Sequence, residues 1–295
     1  MGQFLLVLIA ALALAGCGKK TTPAEPESNA APKVAEDQLK PPEDESKKPE
    51  PPKVETKTAS KIPANAFVNS LGMPFLPVPE TKVSFCIWET RVKDYAAYAD
   101  ANTEINDHWK EPAQFKSRGF KQPDSHPVVM ISWEDANAFC EWLTKKELEN
   151  GLIKAGQKYR LPTDAEWSIV VGLAQETGDT PESKSKGNWG IYPWGKTWSP
   201  PKGAGNYGKD LKVDAFNYTS PVGSFEANEF GLHDMGGNVH EWCEDKRNPN
   251  ELPRVLRGGA WPDSITIILR SSFRSGNTPG ARVADTGFRC VLESK

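Results

Sequence analysis

The stretch Phe230 to Asp245, FGLHDMGGNVHEWCED, concentrates the residue types that bind a hard cation. Adjacent Gly236 and Gly237 allow a sharp turn that exposes backbone carbonyls, while Asp234, Asn238 and Glu241 add side-chain oxygens. Trp242 supplies a large rigid anchor beside them. Calcium asks for clustered oxygens, so the stretch is a candidate calcium loop. A tight turn stapled by an aromatic side chain uses the same residues, and both readings stand on this stretch alone.

The elements that must position the loop are marked unevenly. In HPVVMISWEDANAFCEWL, His126 to Leu143, Ser132 and Asp135 have capping-box spacing, with Ala136, Phe139, Cys140 and Leu143 on one helical face. In YRLPTDAEWSIVV, Thr163 and Glu166 repeat that spacing, Pro162 stops any earlier helix, and Trp167, Val170 and Val171 face inward. Lys82 to Trp88 reads as a strand, and Thr90 as the cap of a helix with Val92, Tyr95, Tyr98 and Ala99 on one side. Beyond Thr177 no long helix is expected, only short apolar pieces such as Ile265 to Leu269 between turns. With 25 prolines, 24 glycines and ten tryptophans, the chain predicts irregular backbone held by aromatic plugs. Near balance of 36 basic against 39 acidic residues argues against a nucleic-acid partner.

Three regions follow from composition. Residues 1–17 open with an apolar run, Phe4 to Ala15, too short to span a bilayer comfortably and ending in small residues, as an export signal does. Leu14-Ala15-Gly16-Cys17 resembles the bacterial lipobox, in which the cysteine is acylated and becomes the mature N-terminus. No Lys or Arg precedes Phe4, which is unusual for such a leader. Residues 18–64 are rich in Lys, Glu and Pro, with little to bury, and read as a tether. Residues 65–295 contain no second linker and read as one domain.

Several motifs in this order resemble the formylglycine-generating enzyme family, also called sulfatase-modifying factors. They are HPVVMISWEDANAFCEWL, YRLPTDAEWS, YPWG, PVGSF, FGLHDMGGNVHEW, RVLRGGAW and TGFRC, spread across nearly the whole domain. The resemblance implies an irregular α+β fold related to the C-type lectin scaffold, with small antiparallel sheets, a few helices and many loops. It also implies structural calcium. One site would use the carbonyls of Gly236, Gly237 and Val239 with the side chains of Asn238 and Glu241. A second would use Asn206 and Asp214 side chains with the carbonyls of Tyr207 and Phe216; loop-capping Asn and Asp is the competing reading there. Cys140 and Cys290 match positions that resemble a disulfide pair in the family, whereas Cys86 and Cys243 are either a second pair or small buried apolar residues.

The departure from the family lies after Arg257-Gly258-Gly259. Formylglycine-generating enzymes carry two closely spaced cysteines there to bind copper, and this chain has no cysteine between Cys243 and Cys290. Copper is therefore not expected. An iron-using branch carries a His-rich helical domain, yet the only histidines here are His108, His126, His233 and His240, none spaced to share a helix face. His240 lies inside the candidate calcium loop and reads more readily as structural than as a ligand. Two function classes remain. The first is an extracytoplasmic lipoprotein serving as a calcium-stabilised binding or structural module, with a protein or glycan in its cleft. The alternative is an oxidoreductase of altered chemistry using residues such as Asp263, Arg270 and Arg274, although Asp263 beside an arginine is also the signature of a buried ion pair.

Acylation at Cys17 makes the first testable prediction. Stable anchoring needs more than one lipid chain, so exported full-length protein should partition into detergent, and Cys17→Ala should not. Recovery of both in the soluble phase would exclude the lipobox.

Overall fold

The computed structural model describes residues 62–294, apart from 118 and 174. The leader, Cys17 and nearly all of the expected tether lie outside the described residues.

A first sheet contains β1 (Phe67–Val68), β2 (Pro74–Val78), β3 (Val83–Cys86), β4 (Lys158–Arg160) and the last strand, β9 (Val291–Glu293). Its order is β1-β2-β3-β9-β4 and every pairing is antiparallel, so the chain's last strand lies between two early ones. A second sheet contains β5 (His240–Lys246), β6 (Arg254–Arg257), β7 (Ser275–Asn277) and β8 (Thr286–Gly287), in the order β7-β6-β5-β8. Here β5 and β8 run parallel, an exception to the expected antiparallel pairing. The mixed α+β architecture with short elements is as expected.

Both capping boxes form. Ser132 Oγ accepts from Asp135 N at 3.1 Å, and Asp135 Oδ2 accepts from Ser132 N at 3.0 Å, opening α3 (Trp133–Glu149). Thr163 and Glu166 do likewise for α4 (Asp164–Val170). Each box satisfies two amides that the first turn of a helix leaves without intrahelical partners. Thr90, however, does not cap α1 (Val92–Asp100). Arg91 holds that position, with its backbone N donating to Asp94 Oδ2 at 3.0 Å and its guanidinium paired to the same carboxylate. Thr90 is instead buried as a strut, donating its N–H to Phe288 O and accepting from Val128 N, each at 2.9 Å. Tertiary hydrogen bonds, absent from local spacing, displaced it from the cap.

The predicted faces are the packed faces. Tyr95 from α1 stacks at 5.9 Å on Phe139 from α3, and Phe139 meets Phe288 edge-on at 5.4 Å. Fully burying an aromatic or aliphatic side chain of this size stabilises by roughly 1.5–3 kcal/mol. Trp167 and Trp242 belong to the same core. Two further short α-helices, α2 (Ala113–Lys116) and α5 (Pro181–Lys184), and a 3-10 turn at Lys209–Leu211 complete the described helices, so no long helix follows Thr177 among the described residues. Ile265 to Leu269 forms a turn, Ile268 N donating to Ile265 O at 3.0 Å, and only Leu269 of its apolar residues is buried.

Candidate functional site

The Gly-Gly loop is shaped by close approach. Asp234, Gly237 and Asn238 all have left-handed backbone, with φ of 56°, 84° and 59°. A Cβ on Gly236 would meet Pro193 at 2.5 Å and the Tyr207 hydroxyl at 2.8 Å, and one on Gly237 would strike the Asn206 carbonyl. Glycine is required at both positions because the Asn206–Tyr207 segment lies directly against them. Gly237 N donates to Gly258 O at 2.9 Å and Asn238 N to Asn206 O at 2.8 Å. The loop therefore joins three segments distant in sequence. From His240 the chain straightens into β5, and Trp242 Nε1 donates to Ile131 O at 2.9 Å, anchoring the strand under α3.

Beneath the loop lies a cluster of buried charge. Glu241 is bound by Arg289 from both oxygens, at 2.6 to 3.0 Å, and its Oε2 also accepts from Trp167 Nε1 at 3.0 Å. Arg289 donates further to the carbonyls of Cys86, at 3.2 Å, and His233, at 2.9 Å. Burial by itself would lower the guanidinium pKa, and the Glu241 carboxylate more than reverses this. Removing one partner of such a buried pair costs about 3–5 kcal/mol, because the other charge is left stranded. Glu89 completes the cluster, accepting from Asn238 Nδ2 at 2.7 Å. Burial, then the charges of Asp234 and Glu241, pushes Glu89 well above the usual carboxylate range. Asp234 is pushed up for the same first reason and accepts from Gly223 N at 2.7 Å.

The second expected site sits against the first. Asn206 Nδ2 donates to Asn238 Oδ1 at 3.2 Å and to Tyr218 O at 2.7 Å, while its Oδ1 is buried without a hydrogen-bond partner. Asp214 accepts from Tyr207 N at 3.0 Å and from Phe216 N at 2.9 Å. All four residues are thus gathered in one loop, with Asp214 capping the amides of both residues whose carbonyls were the expected partners. Asn238 Oδ1 also accepts from Ser220 N at 2.9 Å. Asn238, Glu241 and Asp214 thus have their oxygens engaged by protein donors, whereas Asn206 has an open one. Among the described residues no group of three or more His, Cys, Asp and Glu side chains is arranged to hold a metal ion.

After Gly259 the chain presents Asp263, whose Oδ2 lies 3.0 Å from His240 Nε2 and accepts from Ala260 N at 2.9 Å. Its partner is a histidine, and the expected arginine is elsewhere. Arg270 lies over the Trp189 ring at 4.0 Å, and Arg274 is buried against Asp164 at 3.0 Å and Glu176 at 2.6 Å. Arg257 joins Arg274 on Asp164, so these two arginines complete a structural network. Cys140 Sγ and Cys290 Sγ face each other at 3.6 Å as thiols, against about 2.05 Å for a disulfide. Cys86 is also buried and lies opposite Cys290, its N–H donating to Cys290 O at 3.0 Å; burial pushes its thiol up to about 12. Cys243 is buried on β5.

Residues 56–294 match the sulfatase-modifying factor enzyme 1-like domain. The chain belongs to this family. It is 34% identical over 209 residues to the formylglycine-generating enzyme of Streptomyces coelicolor, covering 63% of this chain and 59% of that protein. It is also 34% identical over 195 residues to the inactive C-alpha-formylglycine-generating enzyme 2 of Bos taurus, covering 62% of this chain and 55% of that protein. The serine/threonine-protein kinase pkn1 of Chlamydia caviae is 33% identical over 183 residues, 56% of this chain and 24% of that protein. The match spans a little over half the length of the first two relatives. PvdO from Pseudomonas aeruginosa shares the fold at a TM-score of 0.53 and 24% identity, covering 76% of this chain and 82% of that one.

Within the family domain, four members of the buried networks, Glu89, Asp164, Glu176 and Arg289, carry no local sequence signal of their pairing. Glu89 follows the expected strand and Asp164 opens a helix, where an acid reads as a dipole partner. Arg289 sits in the quoted TGFRC, but nothing local pairs it with Glu241, 48 residues earlier.

The His240–Asp263 pair generates a pH prediction. Burial would lower the His240 pKa, but the hydrogen bond and charge of Asp263, with the charge of Asp285, raise it above its ordinary value. A raised folded pKa gives stability that is full below the unfolded value of about 6.5 and is lost as pH rises through the folded one. In urea titrations, wild type should exceed Asp263→Asn in stability by most at the acidic end of that window. A difference independent of pH would contradict the pairing.

Proposed function

We propose that this protein is a lipid-tethered, extracytoplasmic module built on the sulfatase-modifying factor domain, serving in binding or structure and not generating formylglycine. The observation that carries the reading is the pairing of Asp263 with His240 on the segment after Gly258-Gly259. A thiolate copper centre does not fit there. The donors are a carboxylate and an imidazole, whereas Cu(I) selects thiolates, and all four described cysteines are buried elsewhere. No step through copper is derived. A relative named as inactive matches this chain as closely as one named as the enzyme, which is consistent with the reading. Reduced, copper-supplied protein incubated with a peptide bearing Cys-x-Pro-x-Arg is expected to yield no aldehyde by mass spectrometry. Turnover above a copper-only control would restore the oxidase reading.

Calcium enters the proposal at the second loop. Asn206, Asp214 and the carbonyls of Tyr207 and Phe216 would hold it, and the orphaned Asn206 Oδ1 supports that assignment. The donor set of Gly236, Gly237, Asn238, Val239 and Glu241 fits less well, because both of its side-chain ligands serve protein donors, whereas in the second set Asp214 does so but Asn206 keeps an open oxygen. A bound calcium would supply positive charge beside loops that carry excess buried acid. Since a ligand that binds only the folded state shifts unfolding by mass action, chelator should lower Tm in wild type and leave Asn206→Ala unmoved. Equal Tm with and without chelator, and no calcium by elemental analysis, would remove calcium from the account.

Export would also allow Cys140 and Cys290 to close into a disulfide, contributing about 5 kcal/mol at most on the chain-entropy model. Non-reducing peptide mapping of exported protein should recover the two as one linked peptide. Finding both thiols free to alkylation after unfolding would sink the pairing.

A further inference from the structure

Between Ser183 and Lys209 the chain carries five lysines and no Asp or Glu, in a protein whose net charge is −3. Lys186, Lys196, Lys202 and Lys209 are exposed, and none makes an ion pair with a described residue. The same stretch displays Trp189, 68% exposed, and Trp198, 43% exposed. Single exposed apolar residues are ordinary on a protein surface. These two are joined by Ile265 at 58% and Ile267 at 50%, on a loop stapled to the first. Ser271 N donates to Ile191 O at 2.9 Å, Arg270 lies over the Trp189 ring, and Gly208 N donates to Asp263 O at 2.7 Å. A lysine-rich loop with exposed tryptophans and a loop with exposed isoleucines are thus held side by side.

The form of the face selects its partner. The indole N–H of Trp189 is satisfied by Lys186 O, so its ring presents hydrocarbon without an unmet donor. Small ligands are held in concave sites and peptides in grooves or along open strand edges, and none of these four residues lies on a strand. The cavity that includes Trp194 and Lys202, about 250 Å³, is lined by none of Trp189, Trp198, Ile265 or Ile267. These residues lie exposed on two adjoining loops, and exposed aromatic and aliphatic side chains beside a lysine-rich segment suit a flat, deformable, anionic surface.

We propose that this face docks on an anionic lipid bilayer, Trp189, Trp198, Ile265 and Ile267 entering the boundary between headgroups and acyl chains and Lys186, Lys196, Lys202 and Lys209 meeting lipid phosphates. The docking is separate from any lipid at Cys17, since it would lay the folded domain itself on the surface. It is also separate from whether the domain has an activity, because it uses none of the residues of the charge cluster.

The test uses the full chain reconstituted into vesicles with brominated acyl chains, either phosphatidylcholine alone or phosphatidylcholine with phosphatidylglycerol. Bromine quenches only tryptophans that reach the acyl region. Tryptophan emission should fall on the anionic vesicles alone, recover on adding salt, and lose its quenchable part in Trp189→Phe/Trp198→Phe. Lys186→Glu/Lys196→Glu/Lys202→Glu should abolish the quenching while Tm and far-ultraviolet circular dichroism stay as in wild type. Equal quenching on both vesicle types, quenching that survives the Trp→Phe pair, or none at all in folded protein would overturn the proposal. So would a soluble polyglutamate that protects residues 186–198 and 262–270 from hydrogen exchange when anionic vesicles do not, since that would assign the face to an acidic protein.

Discussion

The fold depends on a buried guanidinium. Arg289 binds Glu241 with both carboxylate oxygens and reaches the carbonyls of Cys86 and His233, thereby tying β5, the end of β3 and the Gly-Gly loop to the segment between β8 and β9. Removing both charges from water is expensive, and only close geometry with further hydrogen bonds offsets it. Trp167 supplies one of those bonds to the acid, and backbone carbonyls supply the rest to the base. The interaction thus specifies a single arrangement of segments that share little hydrogen-bonded ladder.

A second network has the same logic. Asp164, at the start of α4, receives Arg257 from β6 and Arg274 from the segment before β7, and Arg274 is shared with Glu176. Arg257 also lies over the Trp167 ring at 4.3 Å, so both networks meet at one indole. Strands of two to seven residues offer few ladder bonds. Buried ion pairs and tryptophan N–H donors take over the positional control that longer strands exert elsewhere.

This construction bears on function. The charge cluster contains three acids, Glu89, Asp234 and Glu241, against one arginine; burial is the main cause that raises Glu89 and Asp234, with the charges of Asp234 and Glu241 adding at Glu89 and Arg289 opposing at both. An acid that takes up a proton there no longer needs a counter-charge, and the proposed calcium belongs to the neighbouring Asn206–Asp214 loop and not to this cluster. The segment after Gly258-Gly259 is held separately, by Asp263 bonding to Ala260 N and to His240. Its outer part is free to carry exposed isoleucines without disturbing the core.

What the sequence alone determined was local or compositional. Ser132 with Asp135 and Thr163 with Glu166 announced their helices because a capping box is complete within four residues. Phe139 and Trp167 were legible as core from helical periodicity, and the paired glycines marked a loop that only glycine can form. The missing cysteines after Gly259 were legible as an absence of donor atoms. Tertiary structure decided the rest. Thr90 lost its expected cap to Arg91 because partners nearly 40 and 200 residues away claimed it. Asn206 was brought to Asn238, Asp263 to His240, and Arg289 to Glu241, none within reach of local spacing. Periodicity reports which face of an element is buried, but a buried charge finds its partner through the fold as a whole, and that pairing is written in no single stretch of the chain.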